Sequence, residues 1–275
     1  MLAEKIENSI FTQYRESIWE PFLNALERYS LVEDGDRIAV CISGGKDSML
    51  MAKLMELYKR QGSVDFDLVY LVMNPGYNEE NYSRILENAK ILNIPLTVFE
   101  SNIFDVAYSS EKSPCYLCAR MRRGHLYAKA KELNCNKIAL GHHLSDVIET
   151  IALSMFYASQ LQGMLPKLGS TNFEGMELIR PLYCINEEDI ISWCEYNGLE
   201  FIRCACRFTE QYHSADDDIG ASKRQEVKYL IKELKKDYPG IEKSIFESLH
   251  NLKLDTMIEY KQENEIINFL DRRNK

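Results

Sequence analysis

Ile38-Ala39-Val40-Cys41-Ile42-Ser43-Gly44-Gly45-Lys46-Asp47-Ser48 is the stretch that decides the fold. An unbroken apolar run gives way to Ser-Gly-Gly-Lys-Asp-Ser and resumes as Met49-Leu50-Met51-Ala52-Lys53-Leu54, which reads as a buried strand, a tight turn and a helix. Two glycines let the backbone approach a ligand closely, and the free amides and positive end of the following helix attract an anion such as phosphate. Lys46, Asp47 and the hydroxyls of Ser43 and Ser48 complete a phosphate cradle.

Upstream, Glu33-Asp34-Gly35-Asp36 supplies a turn, and residues 4–29 carry an apolar stripe at helical spacing (Ile6, Ile10, Tyr14, Ile18, Phe22, Leu26) interrupted at Pro21. Downstream, a helix to about Lys59 precedes a strand over Asp67–Met73. A second helix, Glu79 to Leu92, leads to a strand at Leu96–Phe99, and a third, over residues 119–133, to a strand at Lys137–Leu140. This alternation predicts right-handed crossovers and an α/β fold with an open, mostly parallel sheet covered by helices on both faces. Ligands of such sheets sit beyond the carboxyl ends of the strands. Ser43–Ser48, Met73–Tyr77 and Gly141–Asp146 are therefore expected to converge on one pocket, with Met73, Gly141, His142 and Asp146 beside the cradle. A short helix is expected from Asp189 to Gly198, and helix again from Ser222 to about Leu270, broken at Tyr238-Pro239-Gly240. The expected organisation is a helical segment over 1–30, the nucleotide-loop domain with a cysteine site over 31–215, and a helical segment over 216–275.

At 275 residues, 45% hydrophobic and 27% charged, the chain can build a full core, and no apolar run approaches the ~20 residues needed to cross a bilayer. The amino terminus lacks the pattern of a secretory signal, which points to a cytoplasmic protein with no membrane partner. In that reducing setting the eight cysteines read as thiols, metal ligands or catalytic groups rather than a disulfide framework. A net charge of -9 argues against an all-over basic coat for nucleic acid, but Arg120, Arg122, Arg123, Lys129, Lys131 and Lys137 gather around His125. That cluster reads equally as a solvated helix face and as a patch facing phosphates.

Two cysteine pairs stand out, Cys115-Tyr116-Leu117-Cys118 and Cys204-Ala205-Cys206. The first is compatible with an iron-sulfur cluster, zinc or redox chemistry, and the one-residue spacing of the second departs from a zinc knuckle. Cys41, Cys135, Cys184 and Cys194 lie in or beside apolar segments and read as core residues. His142 and His143 read either as nucleotide contacts or as packing at a strand end. Lys167 and Arg180, near predicted turns, are candidate phosphate contacts. Asp146 with Glu149 is available for Mg2+ or substrate, though a Ser- and Asp-rich helix start is also ordinary capping.

The Walker spacing G-x-x-x-x-G-K-[ST] is absent. Ser43-Gly44-Gly45-Lys46-Asp47-Ser48 instead resembles the loop of the PP-loop ATP pyrophosphatases, which implies ATP cleaved between its α and β phosphates and AMP transferred to a substrate oxygen. By that resemblance Ser43, Gly44, Gly45, Lys46 and Ser48 hold the pyrophosphate portion, and Asp47 helps hold Mg2+. More of the chain, about residues 15 to 255, resembles the tRNA 2-thiocytidine synthetases of the TtcA type. The likeness is carried by Gly35-Asp36-Arg37-Ile38, Cys115-x-x-Cys118 running into Arg122-Arg123-Gly124, Lys137-Ile138-Ala139-Leu140-Gly141-His142-His143, Gly163-Met164-Leu165-Pro166-Lys167-Leu168 and Ile179-Arg180-Pro181-Leu182. Ser145 departs from it, standing where the family usually has the first of two acids.

The resemblance implies a [4Fe-4S] cluster on Cys115, Cys118 and Cys204, with Cys206 the competing choice for the third ligand or a sulfur carrier. It also implies replacement of the C2 oxygen of a tRNA pyrimidine by sulfur, with Lys46, Asp47, Cys204 and Cys206 in catalytic roles and Arg122, Arg123, Lys167 and Arg180 facing the substrate. The partners implied are tRNA and a cysteine desulfurase or other sulfide donor, with a homodimer left open. Two further readings stay open: a PP-loop enzyme thiolating another RNA position or a small molecule, and a zinc-stabilised ATP-binding interaction protein.

Overall fold

The computed structural model describes residues 2–101, 103, 114–202, 219–263 and 265–272, with the backbone alone given for 114–119 and 219–222. The chain divides into two compact units, one running to Val147 and including Met164–Ile219, the other made of Ile148–Gly163 and the chain from Gly220 onward.

The first unit is built on β1 (Arg37–Ile42), whose last five residues are buried. Parallel partners β2 (Asp67–Asn74) and β4 (Lys137–Ala139) flank it, with Cys41 opposite Leu71 and Ala39 opposite Ile138. With β3 (Leu96–Glu100), β5 (Lys167–Gly169) and β6 (Glu177–Ile179) the sheet runs in the order β3-β2-β1-β4-β6-β5, and the edge strand β5 alone is antiparallel. The mostly parallel α/β sheet read from the sequence is the one observed.

Helix α1 (Leu2–Phe11) and α2 (Glu20–Arg28) are joined through a π-helical turn, Arg15–Trp19. Pro21 starts α2 rather than breaking a longer helix, because the first turn has no use for the N–H that proline lacks. These helices belong to the sheet's own unit. Tyr14 Oη donates to Ser192 O at 2.8 Å, and Glu7 holds the buried Lys53 at 2.6 Å. Helix α3 (Lys46–Gln61) is buried over most of its length. Helix α4 (Glu79–Leu92) opens on Asn78, whose side chain accepts from Asn81 N at 2.7 Å, and closes on Asn93 at φ 60°. Helices α5 (Pro114–Glu132), α6 (Leu144–Tyr157) and α7 (Glu187–Tyr196) follow.

A charged network fastens the amino ends of the strands. Lys137, 1% exposed, reaches Asp36 at 2.7 Å, Glu33 at 2.8 Å and Leu31 O at 3.3 Å. Lys167 joins it through Glu33 at 2.9 Å and Glu177 at 3.3 Å. The two lysines hold the Glu33 carboxyl down at about 2.

In the second unit, α8 (Ile219–Asp237) and α9 (Ile241–Ser248) are separated at Tyr238-Pro239-Gly240, as expected. The expectation of helix to Leu270 is corrected: β7 (Glu259–Gln262) and β8 (Glu265–Asn268) pair as an antiparallel hairpin before a four-residue helix, α10 (Phe269–Arg272). Tyr260 and Ile267 pair across it, and Glu263 at φ 56° turns the chain. No helix among the described residues is long and apolar enough to cross a membrane.

Candidate nucleotide site

The carboxyl ends of β1 and β4 bring the Ser43–Ser48 turn and the Gly141–Asp146 segment together. Ser48 organises the turn from within: its hydroxyl accepts from Ser43 N at 3.1 Å and donates to Gly45 O at 3.0 Å. Gly44 sits at φ +88°, and a Cβ there would lie 2.6 Å from side-chain carbons of Ile85 and Ile202. Any other residue is therefore both strained and obstructed. Gly141 is required by close approach instead, since a Cβ on it would lie 3.1 Å from Ser48 N and 3.2 Å from the Asp47 carbonyl carbon. The loop after β4 is thus pressed onto the start of α3.

Lys46 Nζ donates to Asp47 Oδ2 at 3.2 Å and Glu187 Oε1 at 3.1 Å. Burial pulls its pKa down, but the two carboxylates outweigh that and hold it above the usual lysine value. Asp47 Oδ1 lies 3.0 Å from the same ammonium, yet it is buried and accepts no hydrogen bond among the described residues. A carboxylate oxygen that accepts no hydrogen bond beside a phosphate cradle suits Mg2+, which takes one or two carboxylates and completes its octahedron with phosphates and water. No group of three or more His, Cys, Asp or Glu among the described residues is arranged to hold a metal by itself.

His143 caps α6. Its backbone N donates to Asp146 Oδ2 at 3.2 Å, while its Nδ1 accepts from Asp146 N at 3.4 Å, the reciprocal pattern of a capping box. Asp146 therefore has the capping role weighed for it, and the His143 Nε2 left to carry the proton lies 3.8 Å from Asp47 Oδ1. His142 is largely covered. Burial first, then the charge of Arg180, pushes its pKa down to about 4, so the ring is neutral at pH 7.

A cleft of about 720 Å³ opens beside the turn, lined by Gly45–Asp47, by Ile191, Cys194 and Glu195 of α7, and by Leu199–Ile202. Its size is that of a small-molecule site. Met73, buried at the end of β2, and Gly141, His142 and Asp146 are not on its walls. Burial pushes the thiols of Cys194 and Cys41 up to about 12, which keeps them protonated, and Cys135 is buried as well.

Arg180, 6% exposed, donates to Leu165 O and acts electrostatically on His142 together with Arg123 of α5. Lys167 is committed to Glu33 and Glu177 at the other end of the strands. Cys115 and Cys118 fall on the first two turns of α5, ahead of Arg122. Cys204 and Cys206 lie outside the described residues. Glu187, which no sequence signal marks, donates its own N–H to Ser145 Oγ at 3.3 Å.

A glycine turn with a lysine and a neighbouring carboxylate, at the carboxyl edge of a parallel sheet, defines an α/β protein that handles a phosphate-bearing ligand. Residues 15–213 match the model of the PP-loop domain. The tRNA-cytidine(32) 2-sulfurtransferase of Aliivibrio fischeri strain MJ11 is 34% identical over 254 residues, 90% of this chain and 78% of that protein. The protein of the same name from Geotalea uraniireducens is 32% identical over 263 residues, 93% of this chain and 99% of its own. The chain belongs to the PP-loop family, in the branch of these tRNA 2-sulfurtransferases. Its fold is also that of the U34-tRNA thiolase NcsA from Methanococcus maripaludis, solved with its [4Fe-4S] cluster. The TM-score is 0.65 at 21% identity, over 93% of this chain and 86% of that one.

Proposed function

We propose that this chain is an ATP-dependent sulfurtransferase that replaces the C2 oxygen of a tRNA pyrimidine, of the cytidine type, with sulfur. The observation that carries it is the Ser43–Ser48 turn seated on Gly141, with Asp47 Oδ1 buried and accepting no hydrogen bond among the described residues, which suits a cradle for a polyphosphate. A pyrimidine oxygen is a poor leaving group. Attack of that oxygen on the α-phosphorus of ATP releases pyrophosphate, whose negative charge Lys46 offsets; Asp47 would hold an Mg2+, which when bound would supply further positive charge there. Sulfide then adds at C2, and the former oxygen departs with AMP, leaving the thiocarbonyl.

Cys115 and Cys118, one helical turn apart on α5, together with Cys204 are the residues that would hold a [4Fe-4S] cluster. Three thiolates at one end of a cluster suit it, and bound there the group would supply a site for delivering sulfur brought by a cysteine desulfurase or other sulfide donor. Arg122 and Arg123, on the same helix as the cysteine pair, would meet the tRNA, and Cys206 is the alternative third ligand. The test compares two variants after anaerobic reconstitution. Cys115→Ser is expected to lose iron, acid-labile sulfide and tRNA thiolation while keeping ATP binding, and Lys46→Ala to lose ATP turnover while keeping the cluster absorbance. Full thiolation by Cys115→Ser refutes the cluster role.

A further inference from the structure

The carboxyl edge of the sheet holds a second concentration of positive charge that the Ser43–Ser48 turn does not use. Arg180 follows β6, and its side chain is 6% exposed. One end of its guanidinium donates to Leu165 O, but its Nε is buried without an acceptor, and it forms no ion pair with a carboxylate among the described residues. Arg123 lies near enough for its charge to act on Arg180, which brings like charges together. His142 follows β4, whose end is tied to that of β6 by Leu140 N donating to Ile179 O at 3.0 Å; both arginines act on its neutral ring, and its Nδ1 is likewise buried with no partner among the described residues. Asp146 is the acid that acts on both Arg180 and His142, and its carboxylate is already accepting from His143 N.

A buried guanidinium with no carboxylate in ion-pair contact, next to a second one, is costly unless an anion is seated there. The planar fork of arginine matches two oxygens of a phosphate, and a neutral imidazole adds a donor without adding charge. We propose that Arg180, Arg123 and His142 form a subsite for one backbone phosphate of the RNA substrate, separate from the turn that holds the nucleotide. The sheet order separates the two: β1 carries the turn, β4 carries His142, and β6 carries Arg180. Two strand spacings amount to roughly 10 Å. An extended polyanion crossing this edge, with one phosphate on Arg180, presents a neighbouring base towards the nucleotide bound at β1. The subsite thus sets the register of the base to be activated, and it rests on the reading of RNA as the substrate.

The experiment measures binding of unmodified tRNA to the full chain over a series of salt concentrations, for the native protein, Arg180→Gln and Arg123→Gln, with a non-hydrolysable ATP analogue titrated in parallel. Each variant is expected to bind tRNA about three- to tenfold more weakly, with a slope of log affinity against log salt shallower by about 1, and to bind the analogue as the native protein does. Arg123 is exposed, so its variant folds even if Arg180→Gln does not. Unchanged tRNA affinity and salt slope in Arg123→Gln overturn the subsite. Weakened analogue binding with tRNA binding intact overturns it too, by giving the phosphate to the nucleotide. A native protein that binds no tRNA overturns the RNA reading itself.

Discussion

Glu187 competes with the nucleotide for Lys46, and the sign of that competition is testable. In the structure Lys46 Nζ lies 3.1 Å from Glu187 Oε1 and 3.0 Å from Asp47 Oδ1, so one ammonium meets two carboxylates, and the side chains of Lys46 and Glu187 are 25% and 19% exposed. Two unit charges at that separation attract by about 5 kcal/mol at an effective dielectric of about 20. Desolvation and side-chain ordering reduce this to about 1 kcal/mol for a pair that is neither fully buried nor fully exposed. A polyphosphate binding at the turn must displace that contact. Glu187→Gln keeps the shape and removes the charge, so it is expected to tighten a magnesium-bound, non-hydrolysable ATP analogue about fivefold, the equivalent of about 1 kcal/mol. The nucleotide-free protein should become less stable by a similar amount, because the lost pair belongs to that state. Isothermal titration calorimetry reads the first effect and denaturant unfolding the second. Weaker binding of the analogue by the variant refutes the reasoning and makes Glu187 a ligand of the nucleotide or its cation.

Gly141→Ala should weaken analogue binding and lower stability by about 1–3 kcal/mol, because the added methyl crowds backbone atoms of Asp47 and Ser48 and pushes the turn out of place; calorimetry and thermal unfolding check it, and native-like binding contradicts it. Cys41 and Cys194, their thiols near 12, present about one thiolate in ten thousand at pH 8, so iodoacetamide should label them only after unfolding, as mass spectrometry can show. The Glu33 carboxyl titrates near 2 in the folded chain and in the ordinary range when unfolded. Its contribution to stability is therefore complete above about pH 4.5 and is lost as pH falls towards 2. Glu33→Gln should flatten that part of the stability profile, measured by denaturant titration between pH 5 and pH 3.

The parallel sheet was legible because its signals are local. An apolar run ending in Ser43-Gly44-Gly45 marks a strand and its turn within eleven residues, and Asn78 and Asn93 bracket α4 at the residues expected. The three-residue β4 was read from its apolar Ile138-Ala139-Leu140, whereas β5 and β6, equally short, carry no period that distinguishes them from loop. In β7 and β8 the charged residues crowd the few apolar ones, so Tyr260, Ile266 and Ile267 were absorbed into a helical pattern. At the site, the loop residues and Gly141 announced themselves through their types. Glu187 did not, because the lysine it meets is 141 residues away and an acidic helix start looks the same wherever it points. The ion pairs of Lys167 were hidden for the same reason: a lysine beside a turn says nothing of the acids that Glu33 and Glu177 bring to it.

The buried Lys137 clamp has a consequence for how such a protein can vary. It ties Glu33 and Asp36 to the start of β4, while the nucleotide turn begins where β1 ends, six residues further on. That length of strand spans roughly 20 Å, beyond the range over which substitutions with no shared partner usually influence one another. The acid response carried by Glu33 is thus set at one pole of the sheet and ligand choice at the other. Lineages of this fold can retune the acidity they tolerate through residues such as Glu33 and Lys167 while the chemistry at Lys46 stays as it is.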